Sequence, residues 1–278
     1  MAAARVILVS DTHLSAAAPQ AQANWDVVVS YVGACPPDLV IHLGDLSLDG
    51  VHDPVDLHYA RSQLDRLPVP WHAVPGNHDV GDNPRPGASA DSAVDQDRRQ
   101  RWLDVVGPDR WMLPVNGWTL LGINAQLAGS GLAAEAAQWS WLEQQLSERS
   151  PGEQVALVTH KPVTATEPEL AAAPEYRFLP PPERQRLADL FGDEPPVLIL
   201  SGHVHQRRLV HLDGTDHLWV PTTWAVLPDE AQATVGTKRS GIVSLEFYGE
   251  TPPEPEFIEP EGLAQLTMSR DIPNPYVH

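Results

Sequence analysis

Five short apolar runs in this chain are each followed by residues that bind metal ions in proteins. The runs are Val6–Val9, Leu39–Leu43, Val69–Val74, Val155–Val158 and Val197–Leu200. Their length and their β-branched residues are typical of buried strands. The metal-binding types that follow them are Asp11 with His13, Asp45, Asn77, His160, and His203 with His205. Because ligands of an open α/β sheet collect where the carboxyl ends of its strands meet, we expect these seven side chains to converge.

The rest of the chain alternates between helix and strand signals, which predicts an α/β domain. Helices are expected at 24–32, 54–67, 98–106, 133–149 and 183–191, and further strands at 111–115, 118–123, 207–212, 218–220 and 241–247. Asn116-Gly117 between two of these strands is a strong hairpin signal. We predict one domain over residues 1–250, followed by a Pro/Glu-rich extension over 251–278 that is either an extended wrap or a disordered end.

The net charge and the cysteine content limit which partners and metal sites the chain can have. The formal net charge of −19 repels nucleic-acid backbones and anionic membranes at long range, which disfavours binding to long nucleic acids. It does not exclude a small anionic substrate, since bound metal ions can dominate the field inside a pocket. Cys35 is the only cysteine, so the chain has no intrachain disulfide and thiolate metal binding is disfavoured.

The sequence also carries signals about location. Met1 to Arg5 run directly into the first strand, which leaves no room for the apolar segment of a signal peptide. No apolar run approaches the length of about 18 residues that a membrane span requires. We therefore expect a cytoplasmic protein without a membrane span. The oligomeric state stays open, a homodimer included.

The converging residues have the chemistry of a two-metal site. Carboxylate and amide oxygens mixed with imidazoles, without sulfur, favour manganese, iron, zinc or cobalt. If one of the seven residues is a carboxylate that bridges two ions, each ion has four protein ligands. A bridging hydroxide then leaves an open position for substrate, as two-metal hydrolases require.

The order of the motifs resembles that of a known superfamily. Asp11-Thr-His13, Gly44-Asp45, Gly76-Asn-His-Asp79, a lone His160 and Gly202-His-Val-His205 follow one another as in the calcineurin-like metallophosphoesterases. Each motif is weak alone, but five in order, each behind a predicted strand, are specific. The resemblance covers about residues 6–205 by motif and extends more weakly to 247 by strand layout. It implies a four-layer αββα sandwich with two mixed β-sheets and a dinuclear metal site at the carboxyl ends of the strands.

The resemblance also implies a role for each residue. Asp11, His13 and His205 would bind the first metal ion, and Asn77, His160 and His203 the second. Asp45 would bridge the two ions. His78 matches the histidine of this superfamily that is not a ligand but contacts the substrate phosphate and protonates the leaving oxygen.

The motifs favour one branch of the superfamily. Protein serine/threonine phosphatases carry Gly-Asp-x-x-Asp-Arg-Gly, whereas here Leu48 stands in place of the second aspartate and no arginine follows. Gly-Asp-Leu-Ser, the Trp-Leu helix at 138–146 and Pro221-Thr-Thr223 are similar to the bacterial class III cyclic-nucleotide phosphodiesterases. The helix at 176–190 is also similar to that of a small eukaryotic branch of protein phosphatases. We expect a hydrolase of small phosphodiesters such as cyclic nucleotides; a phosphomonoesterase, a protein phosphatase and a non-catalytic metal-binding scaffold are the alternatives.

Two further residues near these motifs have an open interpretation. His42 lies inside a predicted strand, and an ordinary packed histidine is the expected role. Trp224 follows the predicted strand at 218–220, and both core packing and a place beside the metal site are open.

Overall fold

The computed structural model describes residues 3–87, 89–150, 152–163 and 177–272. Its strands are β1 (Ala4–Val9), β2 (Leu39–His42), β3 (Trp71–Ala73), β4 (Trp111–Val115), β5 (Trp118–Gly122), β6 (Gln154–Val158), β7 (Leu198–Ser201), β8 (Arg208–Leu212), β9 (Thr215–Trp219), β10 (Ala225–Val226), β11 (Ile242–Phe247), β12 (Glu256–Ile258) and β13 (Leu266–Thr267). Its α-helices are α1 (Pro19–Ala34), α2 (Pro54–Leu64), α3 (Asn77–Val80), α4 (Gln96–Val105), α5 (Ala133–Ser147) and α6 (Pro181–Phe191).

Two mixed sheets form the centre of the fold. The five-stranded sheet has the order β12-β11-β1-β2-β3, in which β1, β2 and β3 run parallel. The six-stranded sheet has the order β4-β5-β6-β7-β9-β8, in which β5, β6, β7 and β9 run parallel. A short parallel pair, β10 with β13, lies apart from both. In each large sheet, the parallel strands place their carboxyl ends at one edge.

The side chains of the central strands alternate between two apolar clusters, and this shows what packs on each face of the two sheets. Val6 and Leu8 belong to an apolar cluster shared by both sheets, whereas Ile7 and Val9 belong to a cluster with residues of α1, α2 and α4. In the second sheet, Leu157 packs with residues of α5 and α6. Since successive side chains of a strand point to opposite faces, each sheet has one face on its partner and one face on helices. The predicted four-layer αββα arrangement with two mixed sheets is confirmed.

Local sequence signals explain where several elements begin. Asp53 caps α2 by accepting a hydrogen bond from the backbone N–H of Val55, and Asp95 caps α4 in the same way through Arg98. Asn116 and Gly117 both have positive φ, as the tight turn between β4 and β5 requires. The two caps fix where α2 and α4 begin, and the turn fixes the register of β4 with β5.

The five apolar runs form β1, β2, β3, β6 and β7, although β3 is shorter than predicted. Helix α1 begins at Pro19, whereas the sequence predicted a start at residue 24. The prediction missed the first turn because its residues are polar or alanine and show no apolar period. The extension at 251–278 contributes β12 to the first sheet, and β13 pairs with β10. The boundary drawn at residue 250 stays a prediction.

The helices within the described residues are short: the longest, α1, has 16 residues. None of them has the length and apolar character that crossing a bilayer demands.

Candidate dinuclear metal centre

The loops that follow the parallel strands bring the predicted ligands together in two groups. In the first group, Nε2 of His205 lies 3.2 Å from Nε2 of His13 and 3.3 Å from Oδ1 of Asp11. The ligand atoms of these three residues all lie within 4.8 Å of one another. All three side chains are buried.

The second group lies around His160, which follows β6. Nε2 of His160 is 3.2 Å from Oδ1 of Asn77, 3.1 Å from Nδ1 of His203 and 3.3 Å from Oδ2 of Asp45. Oδ2 of Asp45 also lies 3.7 Å from Nε2 of His13. Asp45 therefore stands between the two groups, and the structure brings all seven predicted ligands to one place.

Five of these seven residues have a left-handed backbone, which L-residues other than glycine seldom adopt. The five are Asp11 (φ 51°), His13 (φ 44°), Asp45 (φ 54°), His203 (φ 67°) and His205 (φ 53°). Asp, Asn and His tolerate this region better than bulky residues do, yet it still costs about 1–2 kcal/mol per residue. Such strain persists only where the surroundings fix it, and it clusters at functional sites.

Backbone hydrogen bonds between the loops supply that fixation. The N–H of Asp11 donates to the carbonyl of Gly44 at 3.0 Å, and the N–H of His13 donates to the carbonyl of Asp45 at 3.1 Å. The N–H of His203 donates to Oδ2 of Asp11 at 3.0 Å, which joins the loops of the two sheets. The ligand loops therefore hold one another in place.

Glycines allow the loops to approach this closely. A Cβ on Gly76 would lie 2.1 Å from Oδ1 of Asp45, and a Cβ on Gly44 would lie 2.5 Å from Nδ1 of His160. Gly44 also has a φ of 95°, a conformation that favours glycine. A side chain at Gly44 or Gly76 would therefore clash with the predicted ligand beside it.

The hydrogen bonds of the imidazoles show that the site suits cations. Nδ1 of His160 lies 2.7 Å from the carbonyl of Leu43, and Nδ1 of His205 lies 2.6 Å from the carbonyl of Ala225. A carbonyl accepts only, so Nδ1 carries the proton in both rings and Nε2 of a neutral ring presents a lone pair. The two Nε2 atoms face the carboxylates of Asp11 and Asp45, the amide oxygen of Asn77 and the rings of His13 and His203. Oδ1 of Asp11, buried and without a hydrogen-bond donor, faces the same space. This donor set fits two metal ions.

The electrostatics of the site agree with this fit. Burial opposes the charge of Asp45, but nearby His160 and His78 outweigh it and hold the pKa of Asp45 well below its usual range. For His13 and His203 burial disfavours the charged ring, and it keeps the pKa of both well below the ordinary value. For His160 burial is outweighed by the charge of Asp45 and the hydrogen bond to it, which raise its pKa to about 9. Ionised carboxylates and neutral imidazoles are the forms that bind metals, and the ring of His160 holds a proton where an ion would replace it.

His78 lies at the edge of this centre. Its backbone N–H donates to Oδ1 of Asp45 at 2.8 Å, and its ring lies edge-on to that of His13 with the centroids 4.8 Å apart. Nδ1 of His78 donates to the carbonyl of Leu48 at 2.9 Å. The residue that breaks the protein-phosphatase motif thus still supports His78, through its backbone rather than through a carboxylate.

Three residues around the centre are not predicted by the strand-end rule. The carboxylate of Asp79 accepts hydrogen bonds from the backbone N–H groups of Leu46, Ser47 and Gly76, and so joins two ligand loops. The indole of Trp224 packs against the predicted ligand His13 with the ring centroids 4.9 Å apart, and it is also part of an apolar cluster.

His42 is the third. It is buried as expected, and burial lowers its pKa to about 3, yet both of its ring nitrogens make hydrogen bonds within the ligand loops. A histidine inside a strand gives no sequence signal for such contacts, because its partners lie elsewhere in the chain.

Comparison with known proteins identifies the family of this chain and agrees with its fold. The sequence pattern of the calcineurin-like phosphoesterase family matches residues 4–207. A probable glycerophosphodiester phosphodiesterase, GpdQ, from Arcobacter nitrofigilis is 30% identical over 213 residues, which cover 72% of this chain and 71% of that protein.

Solved structures share the fold at low sequence identity. A dimetal phosphatase from Danio rerio has a TM-score of 0.61 and 13% identity, covering 93% of this chain and all of the other. A purple acid phosphatase from yellow lupin seeds has a TM-score of 0.64 and 14% identity, covering 95% of this chain and 52% of the other.

The chain belongs to the calcineurin-like phosphoesterase family, and it is a metal-dependent phosphoesterase with a candidate dinuclear metal centre. The resemblance read from the five motifs is therefore confirmed.

Proposed function

We propose that this protein hydrolyses small phosphodiesters at a dinuclear metal centre, with glycerophosphodiesters as the first substrates to test. In this proposal Asp11, His13 and His205 would hold one ion. Asn77, His160 and His203 would hold the other, and Asp45 would bridge them. Manganese, iron and zinc are the ions that this mixture of oxygen and nitrogen donors favours.

The observation that carries the proposal is the position of Asp45 between two ligand groups. Its Oδ2 atom lies 3.3 Å from Nε2 of His160 in one group and 3.7 Å from Nε2 of His13 in the other. One carboxylate within reach of two imidazole groups is the arrangement that a pair of ions requires. A single ion would leave the second group of buried metal-binding side chains without a cation to bind.

The chemistry follows from the ions and from the residues around them. Once bound, two ions would lower the pKa of water enough to supply a hydroxide near neutral pH and would offset charge on the phosphoryl oxygens. Asn77 and His160 keep their donor atoms 3.2 Å apart at the second position. His78 donates Nδ1–H to the carbonyl of Leu48, and its imidazolium form would give the second proton, on Nε2, to the leaving oxygen and return to the neutral ring.

The substrate class rests on charge and on the named relative. The relative from Arcobacter nitrofigilis is described as a probable glycerophosphodiester phosphodiesterase, and its match covers 72% of this chain. A net charge of −19 disfavours long polyanions such as nucleic acids. A small diester carries one negative charge and leaves the repulsion small. Cyclic nucleotides belong to the same class of small diesters, so a substrate panel has to separate the two.

The test is a panel of phosphoesters offered to the purified, Mn²⁺-loaded protein. We expect turnover of bis-aryl phosphate diesters and of glycerophosphodiesters, with lower kcat/KM for cyclic nucleotides, phosphomonoesters and phosphopeptides. Preference for a monoester or a phosphopeptide would contradict the diesterase proposal. Binding of two ions without turnover of any ester would indicate the non-catalytic scaffold instead.

Variants separate the roles of the residues. Asp45→Ala and Asn77→Ala should abolish turnover and lower the number of bound ions. His78→Ala should lower kcat by about 10²- to 10⁴-fold, the usual contribution of a general acid, while both ions stay bound. Asp189→Ala, an exposed carboxylate on α6, is the matched control and should behave as the wild type.

A further inference from the structure

We propose that His42 is a positioning residue of the metal centre, which ties the loop of Asp11 and His13 to the loop of Asp45. This inference rests on the proposed function, because it presumes that these three residues hold metal ions.

The position of His42 in the sheet is one that normally takes an apolar residue. His42 ends β2 and is paired with Val9 of β1 and Ala73 of β3. Val9 and Ala73 both belong to the apolar cluster under the helices, and the ring of His42 is fully buried. A buried imidazole destabilises a fold unless its nitrogens are hydrogen-bonded, so its presence needs a specific reason.

The hydrogen bonds of the His42 ring form a chain in which each group donates to the next, and this chain fixes the tautomer of the ring. The backbone N–H of Gly44 donates to Nδ1 of His42 at 3.2 Å, so Nδ1 is the unprotonated nitrogen. Nε2 then carries the proton and donates to Oγ1 of Thr12 at 3.0 Å. The hydroxyl of Thr12 in turn donates to the carbonyl of Leu46 at 3.0 Å. Every donor and acceptor in this buried network has a partner, as a stable polar network requires.

The network ends on both loops that carry ligands. Thr12 stands between Asp11 and His13, while Gly44 and Leu46 flank Asp45. His42 therefore fixes the separation of these loops at the level of the bridging carboxylate.

Fixing this separation has a consequence for the metal centre. The three ligands beside the network all have left-handed backbones, which need external support. Ligands must be held within about 0.5 Å of their working geometry, and residues behind the ligands typically account for 10- to 100-fold in metal affinity. We expect His42 and Thr12 to act as one unit of this kind.

The test measures Mn²⁺ binding to the purified chain by equilibrium dialysis, together with the electron paramagnetic resonance signal of the bound ions. His42→Phe fills the space without hydrogen bonds, and Thr12→Val removes only the hydroxyl. Each should weaken Mn²⁺ binding by at least about tenfold and reduce the spin coupling between the two ions. The double variant should be no worse than the more affected single variant, because both changes break the same network.

Conservative variants and a matched control complete the design. The side-chain amide of glutamine can still donate to Thr12, so His42→Gln should recover part of the affinity that His42→Phe loses. His217→Phe replaces another buried histidine, on β9 of the second sheet, and should leave binding and coupling unchanged. If His42→Phe fails to fold, Thr12→Val and His42→Gln carry the test.

The outcomes separate this inference from the proposed function. Two ions bound and coupled equally in the wild type, Thr12→Val and His42→Phe would overturn the positioning role alone. Additive losses in the double variant would also overturn it. A wild-type chain that binds no metal would overturn the dinuclear centre, and the positioning role with it.

Discussion

Nε2 of His13 and Nε2 of His205 lie 3.2 Å apart, although Nδ1 of His205 already donates its proton to the carbonyl of Ala225. The Nε2 atom of a neutral His205 therefore presents a lone pair toward the ring of His13 and toward Oδ1 of Asp11, in a buried space. A cation placed there would be coordinated by this lone pair and by the carboxylate of Asp11. The interloop hydrogen bonds hold this geometry in place, and they hold the strained backbone of the same residues as well.

The first prediction concerns the proton that His160 holds. The pKa of His160 is raised to about 9, so this ring is protonated at neutral pH until an ion replaces the proton. Metal binding should therefore release roughly one proton per chain at pH 7.5, and metal affinity should rise with pH until about pH 9. Calorimetric titration with Mn²⁺ in buffers of different ionisation enthalpy measures the released protons. Equal heats in all buffers would contradict the protonated His160.

The second prediction concerns the close approach at Gly76. In Gly76→Ala the new Cβ would lie 2.1 Å from Oδ1 of Asp45 and 2.3 Å from its backbone nitrogen. The loop has to shift, which we expect to cost about 1–3 kcal/mol of stability and to weaken Mn²⁺ binding at least tenfold. Urea unfolding and equilibrium dialysis measure the two effects.

Gly33→Ala is the control for this variant. Gly33 lies inside α1 with no atom within 4 Å of the added Cβ, so alanine should stabilise the helix by about 0.5–1 kcal/mol. Wild-type metal affinity in Gly76→Ala would show that the glycine is not required for the ligand geometry.

The third prediction concerns Asp79, which joins two ligand loops through hydrogen bonds from three backbone N–H groups. Asp79→Asn places an amide N–H₂ against those donors, so we expect a loss of about 1–3 kcal/mol at neutral pH. Urea unfolding of the metal-free proteins measures this loss.

The same side chain predicts a pH dependence. Burial and the charge of Asp45 raise the pKa of Asp79 to about 6, above its unfolded value of 3.8. The folded state binds the proton more tightly, so this contribution to stability is fully present below pH 3.8 and is lost as the pH rises through about 6. The stability advantage of the wild type over Asp79→Asn should therefore be larger at pH 4 than at pH 6.5. An advantage that grows with pH would contradict the raised pKa.

The convergence of the seven predicted ligands could be foreseen because it depends on a regular property of parallel sheets. A strand that ends at the common edge delivers the next residues to that edge, so an apolar run followed by Asp, Asn or His predicts a position in space. The hairpin at Asn116-Gly117 was predictable for a similar local reason, since the two positive φ angles are set by the residue types.

The remaining features depend on partners distant in sequence. His42 and Thr12 are separated by 30 residues, and no periodicity relates them. The support of His78 by the carbonyl of Leu48 involves a backbone atom, which side-chain motifs do not encode. Strand β12 is three residues long and follows prolines, so its pairing with β11 had no pattern to predict it.

The last prediction uses Trp224 as a reporter of the first metal position. Its indole packs 4.9 Å from the ring of His13, and it is almost fully buried. Paramagnetic Mn²⁺ quenches a nearby indole strongly, so binding of Mn²⁺ should lower the tryptophan fluorescence of the protein, and Trp224→Phe should remove most of that change. Trp118→Phe, in the core between the sheets, is the control and should retain the change, because that indole belongs to a different cluster. Quenching that survives in Trp224→Phe but disappears in Trp118→Phe would place the bound ion away from His13.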